Sequence, residues 1–140
     1  MKAQKFTLLM VDDDENDRFF LQTTFQTLDA RYRVQGLSSG NDAIAYLKGE
    51  GRFDDRDKFQ FPSYIITDLK MPRVDGFELL KWLREHKEFS RIPVIVITGS
   101  SLNTDEEDLV IAHANAFLSK DIVFQQPQKF IEAVQKFVAH

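Results

Sequence analysis

Cysteine is absent from this 140-residue chain. That excludes disulfides and any thiolate metal centre. An excess of basic residues is absent as well. The formal net charge is -4 at pH 7, which disfavours a nucleic-acid backbone binder, because such a protein needs a basic face. No apolar run approaches the roughly 18 residues of a membrane span. The basic start Met1-Lys2-Ala3-Gln4-Lys5 leads into a short apolar run that meets Asp12-Asp13-Asp14, a pattern unlike a signal peptide. There is no internal repeat and no linker. His86, His113 and His140 lack metal-ligand spacing and receive no role. The expectation is one soluble cytoplasmic domain spanning 1–140, without nucleic-acid or membrane partners.

What is present suits a full core: 43% of residues are hydrophobic, 29% are charged, and 13 are Phe. Phe6 to Val11 is a continuous apolar run of strand length, as in a strand covered on both faces. Glu15 to Leu28 reads as a helix with Phe20, Leu21, Thr24, Phe25 and Leu28 inward. Asp14, Glu15 and Asp17 suit the positive end of its dipole. Phe19 falls off that face, as a half-buried surface residue or a docking contact. Tyr32 to Leu37 is a weaker strand. A cap at Ser39 opens a short helix with Ala43, Ile44, Tyr46 and Leu47. Residues 52–63 read as a long surface loop anchored by Phe53, Phe59 and Phe61.

Tyr64 to Thr67 is the third strand and runs straight into Asp68. Phe77 to Phe89 reads as a helix with Trp82 half-buried. Val94 to Ile97 is the fourth strand, ending at Thr98-Gly99-Ser100. Thr104 to about His113 is a helix with Leu109, Val110 and Ala114 inward. Ala116 to Ser119 is the fifth strand, ending at Lys120. Gln128 to Ala139 is a final amphipathic helix with Phe130, Ile131, Val134, Phe137 and Val138 apolar. Five strands alternating with five helices imply a parallel sheet covered on both faces. Ligands of such sheets bind at the carboxyl ends of the strands. The residues at those ends are Asp12, Asp13, Asp68, Thr98 and Lys120.

Three carboxylates brought to about 4 Å repel by roughly 4 kcal/mol per pair at an effective dielectric near 20. Such a site wants a cation, and oxygen-only ligands suit a hard one such as Mg²⁺. Lys120 offers an ammonium for a phosphoryl oxygen and Thr98 a hydroxyl. Asp68 can then act as a nucleophile that becomes an aspartyl phosphate. Each element alone is common in purely structural roles. Their joint occurrence, in order and each at a strand end, is specific.

The chain resembles a receiver domain of the two-component response-regulator family, similar in fold to the chemotaxis regulator. The resemblance rests on Val11-Asp12-Asp13-Asp14, on Asp68-Leu69-Lys70-Met71-Pro72-Arg73-Val74-Asp75-Gly76, on Ile97-Thr98-Gly99 and on Phe117-Leu118-Ser119-Lys120. It implies a flavodoxin-like, doubly wound five-stranded parallel sheet of order 2-1-3-4-5. It implies Asp68 as acceptor of a phosphoryl group from a histidine kinase or phosphotransfer protein. Mg²⁺ would be held by Asp13, Asp68 and the backbone carbonyl of Lys70, with Asp12 through water. Thr98 and Lys120 would take phosphoryl oxygens, and Thr98 with Phe117 would form a switch. The family are signalling modules whose only catalysis is their own phosphorylation and dephosphorylation. The face of the fourth helix, fifth strand and fifth helix would meet a downstream protein target or a second copy. Lys70 and Ser100 flank the pocket and are either solvated or tune the dephosphorylation rate.

Two departures qualify this reading. The family follows its lysine with a cis proline, whereas here Asp121 follows. A cis bond before another residue costs about 3 kcal/mol, so the segment is either trans and rearranged or strained. Asp121 also places an acid beside Lys120. The loop 52–63 is extended, as in single-domain receivers partnered with bacterial phytochrome kinases. Ile122-Val123-Phe124 is either core or part of a docking surface with Phe19. The chain ends soon after the final helix, so a stand-alone regulator is expected. The competing readings are a pseudo-receiver that only binds partners and a flavodoxin-like cofactor carrier, which would want a Ser/Thr/Gly-rich loop where Asp12-Asp13-Asp14 stand. In a haloacid-dehalogenase-type phosphatase, Asp12 and Asp14 would have the right spacing, but Asn16 does not fit.

Overall fold

The structure is a computed structural model that describes residues 6–28 and 31–136, with Leu28 described by its backbone alone. The chain order is β1 (Phe6–Val11), α1 (Glu15–Leu28), β2 (Tyr32–Leu37), α2 (Gly40–Lys48), β3 (Tyr64–Thr67), α3 (Gly76–Glu85), β4 (Val94–Thr98), α4 (Thr104–His113), β5 (Ala116–Ser119), α5 (Lys120–Gln125) and α6 (Pro127–Gln135). The five strands form one parallel sheet in the order β2-β1-β3-β4-β5. This is the expected doubly wound, flavodoxin-like architecture.

The apolar runs do what strands covered on both faces must do. Leu9 and Val11 of β1, Ile65 of β3 and Val94 and Val96 of β4 face one core with α2, α3 and Val110 of α4. The alternate residues Leu8, Met10, Tyr64, Ile66, Ile95 and Ile97 face a second core. There they meet Leu21 and Phe25 of α1, Val123 of α5 and Phe130, Ile131 and Val134 of α6. Period-two alternation thus splits each run between two cores. Each fully buried aliphatic side chain contributes about 1.5–3 kcal/mol. That rigidity holds the carboxyl ends of β1, β3 and β4 in fixed relation.

Among the described residues there are six α-helices, not the five expected, and a single 3-10 turn at Gly51–Phe53. The additional helix is α5, which begins at Lys120 itself. Ser119 caps it by accepting the Ile122 N–H at 3.3 Å. No cis peptide bond occurs among the described residues, so Lys120-Asp121 is trans. Of the two alternatives at this point, the rearranged trans segment is the one found. Helix α3 stops at Glu85, before the expected Phe89; His86, Phe89 and Ile92 continue in a chain of turns. Phe20 was expected inward, but it is 40% exposed and packs edge-on against Phe124 at 5.0 Å. The expected Phe137 and Val138 positions lie outside the described residues, as does the side chain of Leu28.

The 52–63 segment is an anchored loop, as expected. Phe53 is buried, and its ring lies 5.2 Å from both Tyr46 and Phe59. The Tyr46 hydroxyl donates to the Gln60 carbonyl at 2.7 Å, and Arg56 donates to the carbonyls of Leu47 and Phe59. Burial pushes the Tyr46 phenol up to about 12.

Candidate functional site

The site is built from strand ends. β1 delivers Asp12, whose N–H donates to the Leu37 carbonyl at 3.0 Å. β3 delivers Asp68, whose N–H donates to the Val11 carbonyl at 2.9 Å. The two acids therefore sit on neighbouring strands joined by a ladder bond. Asp12 is 2% exposed and Asp68 8% exposed. Such burial is costly for charged groups unless they are paired. Asp12 Oδ1 accepts the Asp14 N–H at 2.9 Å, and Arg18 donates to the Asp12 carbonyl at 2.6 Å. Asp68 Oδ1 accepts the Leu69 N–H at 2.7 Å, and the Thr67 hydroxyl donates to the Asp68 carbonyl.

The loop after Asp68 is shaped as its turn residues suggest. Asp75 caps α3 by accepting the Glu78 N–H at 3.0 Å. The Gly76 N–H donates to the Leu69 carbonyl at 2.9 Å. A Cβ at Gly76 would collide with the Asp68 carbonyl oxygen and Leu69 Cα. Only glycine lets α3 start this close to the acid.

Lys120 arrives from the far end of β5. It is 7% exposed. Its ammonium lies 2.8 Å from Asp12 Oδ2, 2.8 Å from Asp17 Oδ2 and 2.9 Å from Asp68 Oδ2. Burial works to lower the Lys120 pKa, but the hydrogen bonds to Asp12, Asp17 and Asp68 outweigh it and the net shift is upward. Lys120 is therefore firmly charged. Burial raises the Asp12 carboxyl above its ordinary value, against the pull of Lys120 and the Asp14 N–H. Asp13 is exposed, yet its carboxylate completes a cluster with Asp12 and Asp68 whose oxygens lie within 4.8 Å of one another. The site thus gathers four carboxylates, three of them on one ammonium, and the excess negative charge calls for a further cation. The donor set is all oxygen, which fits a hard divalent ion.

Thr98 is buried at the end of β4, and its hydroxyl accepts the Ser100 N–H at 3.2 Å. Phe117 pairs with Val96 in the β4–β5 register, and Thr98 follows Val96 on the same side of the sheet. The Phe117 ring is 44% exposed and lines a groove of about 490 Å³ with Leu102, Val110 and Ile111. The Lys70 ammonium pairs with Glu106 Oε2 at 2.6 Å. Lys70 is exposed, as one of the two expectations had it, and its ammonium engages α4. Two contacts were not anticipated, Asp17 with Lys120 and Glu106 with Lys70. Asp17 stands in the first turn of α1, which starts two residues after Asp13, and nothing in the sequence marks its reach to Lys120. Nothing in the sequence around Glu106 marks its pairing with Lys70.

The fold and the site define a class: a doubly wound sheet with a cation-seeking carboxylate cluster and a buried ammonium at its carboxyl edge. Residues 8–135 match the response regulator receiver domain, and the chain belongs to that family. Receiver domains are signalling regulators rather than classical enzymes, and they interact with histidine kinases and downstream targets. The chain is 27% identical over 133 residues to response regulator Rcp1 of Synechocystis, covering 93% of this chain and 86% of that one. It is 27% identical over 135 residues to the probable methanogenesis regulatory protein FilR2 of Methanothrix harundinacea, covering 94% and 83%. The structure of a phosphorylated cyanobacterial phytochrome response regulator, RcpA, superposes with a TM-score of 0.81 at 25% identity, covering 95% and 93%. The Mn²⁺-bound form of Rcp1 superposes with a TM-score of 0.78 at 26% identity, covering 94% and 93%. Homologues thus include regulators associated with phytochromes. Among the described residues no helix is long and apolar enough to cross a membrane.

Proposed function

We propose that this protein is a stand-alone response regulator, a single receiver domain over 1–140, which takes a phosphoryl group onto Asp68 from a histidine kinase or phosphotransfer protein. The observation that carries the reading is the meeting of Asp12, Asp13, Asp68 and Lys120 at one sheet edge. An Asp68 carboxylate oxygen attacks phosphorus. The P–O bond forms as the P–N bond of the phosphohistidine breaks, and the leaving imidazole keeps the electron pair. Asp12, Asp13, Asp68 and the Lys70 carbonyl are the groups that would hold Mg²⁺. When bound, that ion supplies charge neutralisation for the transferring phosphoryl group. Lys120 contributes the second positive charge and Thr98 a hydroxyl to the phosphoryl oxygens.

The output is a two-state one. Thr98 turns to the phosphoryl group, Phe117 moves toward the space Thr98 leaves, and the face of α4, β5 and α6 changes. That face serves a downstream protein target and offers a dimer surface. The cellular setting proposed is the cytoplasm. The test is incubation with Mg²⁺ and acetyl phosphate, followed by mass analysis. A base-labile phosphoryl adduct on the wild type, absent from Asp68→Asn, supports the reading. An unmodified wild type in the presence of metal points to a pseudo-receiver.

A further inference from the structure

An ammonium has three N–H donors, and those of Lys120 are taken by Asp12, Asp17 and Asp68 at 2.8, 2.8 and 2.9 Å. These three acids are not equivalent. Asp12 and Asp68 belong, with Asp13, to the cluster whose oxygens lie within 4.8 Å of one another, and Asp17 does not. A divalent cation seated in the cluster competes for the two shared acids. It also repels the ammonium, two positive charges against one. Lysine is a point charge on a flexible four-carbon stem and leaves readily when its partners are taken. Only Asp17 would remain to hold it.

We propose that Asp17 is a positioning residue, the anchor that keeps the Lys120 ammonium at the site once a divalent cation has drawn Asp12 and Asp68 to itself. This rests on the functional reading given above. The placement of Asp17 suits the task. It stands in the first turn of α1, where its N–H donates to Asp14 Oδ1 at 3.0 Å, and the Asp14 N–H in turn donates to Asp12 Oδ1 at 2.9 Å. The loop that carries Asp12 and the helix that carries Asp17 are therefore braced together. Asp17 keeps its carboxylate 27% exposed, while the Lys120 side chain is 9% exposed. The acid holds the ammonium from the solvent side. Asp121, next in sequence to Lys120, is exposed at the start of α5. The ammonium is held by the acids of the site.

The test reads Lys120 directly. The full chain is reductively methylated with and without saturating Mg²⁺, and modification of Lys120 is followed by peptide mass spectrometry. In the wild type Lys120 stays protected in both conditions. In Asp17→Asn it stays protected without metal, since Asp12 and Asp68 still hold it, and reacts about fivefold faster with Mg²⁺, the worth of one partly shielded ion pair. Asp17→Glu restores protection, and Asp121→Asn behaves as wild type. A thermal melt checks folding, and Asp17→Ser carries the same expectation if the Asn variant folds poorly. Equal protection in Asp17→Asn and wild type with Mg²⁺ overturns the proposal. So does a faster reaction that is the same with and without metal, because that marks general loosening. As a second readout, Asp68 labelling by acetyl phosphate falls about fivefold in Asp17→Asn and recovers in Asp17→Glu. If the wild type takes no label at all, the phosphoryl-acceptor reading fails, and the Mg²⁺-dependent exposure of Lys120 still decides the role of Asp17.

Discussion

Replacing Lys120 with Met removes the one buried cation among the described residues and keeps most of the apolar stem. Asp12 and Asp68, 2% and 8% exposed, then lose a partner at 2.8 and 2.9 Å. Removing one member of a buried pair costs about 3–5 kcal/mol, because the survivor is an uncompensated charge. Asp17 sits nearer solvent and suffers less. The remedy open to Asp12 is protonation, and this fixes the pH dependence. Burial already raises Asp12, while Lys120 holds it down. Without Lys120 the folded-state value rises further above the unfolded one near 3.9. The folded variant then binds more protons than its unfolded chain, so its stability falls as pH rises from about 4. Urea unfolding of Lys120→Met should therefore lose about 3–5 kcal/mol against wild type at pH 7 and under about 1 kcal/mol near pH 4. Added Mg²⁺ should restore part of the loss at pH 7, since it pairs the same acids. A deficit that is equal at both pH values would refute the reasoning and assign Lys120 a packing role.

Other perturbations have equally definite outcomes. Gly76→Ala places a methyl group against the Asp68 carbonyl oxygen. It should cost about 1–3 kcal/mol in urea unfolding and lower the rate of Asp68 labelling. Tyr46→Phe removes the bond to the Gln60 carbonyl and should cost about 1 kcal/mol, with faster proteolysis confined to the 52–63 loop. It should also abolish a phenol that titrates near 12 in ultraviolet absorbance. The Lys70 hydrogen bond, helped by that of the Asn103 N–H, holds the Glu106 carboxyl below its ordinary value. The pair's stabilisation is therefore present above pH about 4.5 and lost as pH falls further. Amide protection in the first turn of α4, taken relative to the intrinsic exchange rate at each pH, should fall along that descent, and Glu106→Gln should remove the dependence.

The strands were legible because their apolar runs are continuous and end abruptly in acids. Phe6–Val11, Tyr64–Thr67 and Val94–Thr98 needed no tertiary information to be placed. Asp12, Asp13, Asp68, Thr98 and Lys120 followed as residues at the strand ends, and the structure brings Lys120 onto Asp12 and Asp68. What escaped was set by three-dimensional neighbours. Helix α5 is six residues long with no repeating apolar stripe, and its existence depends on Ser119 acting as cap and not only as strand. Phe20 has helical spacing for the core, yet Phe124 from α5 meets it near the surface. Asp17 looked like one more acid favouring a helix dipole. Its second role appears only when Lys120 arrives from 103 residues away in sequence.

The most direct test of the account is to find where the phosphoryl group goes. Wild-type protein is labelled with acetyl phosphate and Mg²⁺, the acyl phosphate is trapped by borohydride reduction, and the reduced residue is located by peptide sequencing. The account predicts reduction at Asp68 alone, dependent on Mg²⁺ and weakened in Lys120→Met. Reduction at another acid of the cluster, or no metal-dependent reduction anywhere in the folded wild type, would contradict it.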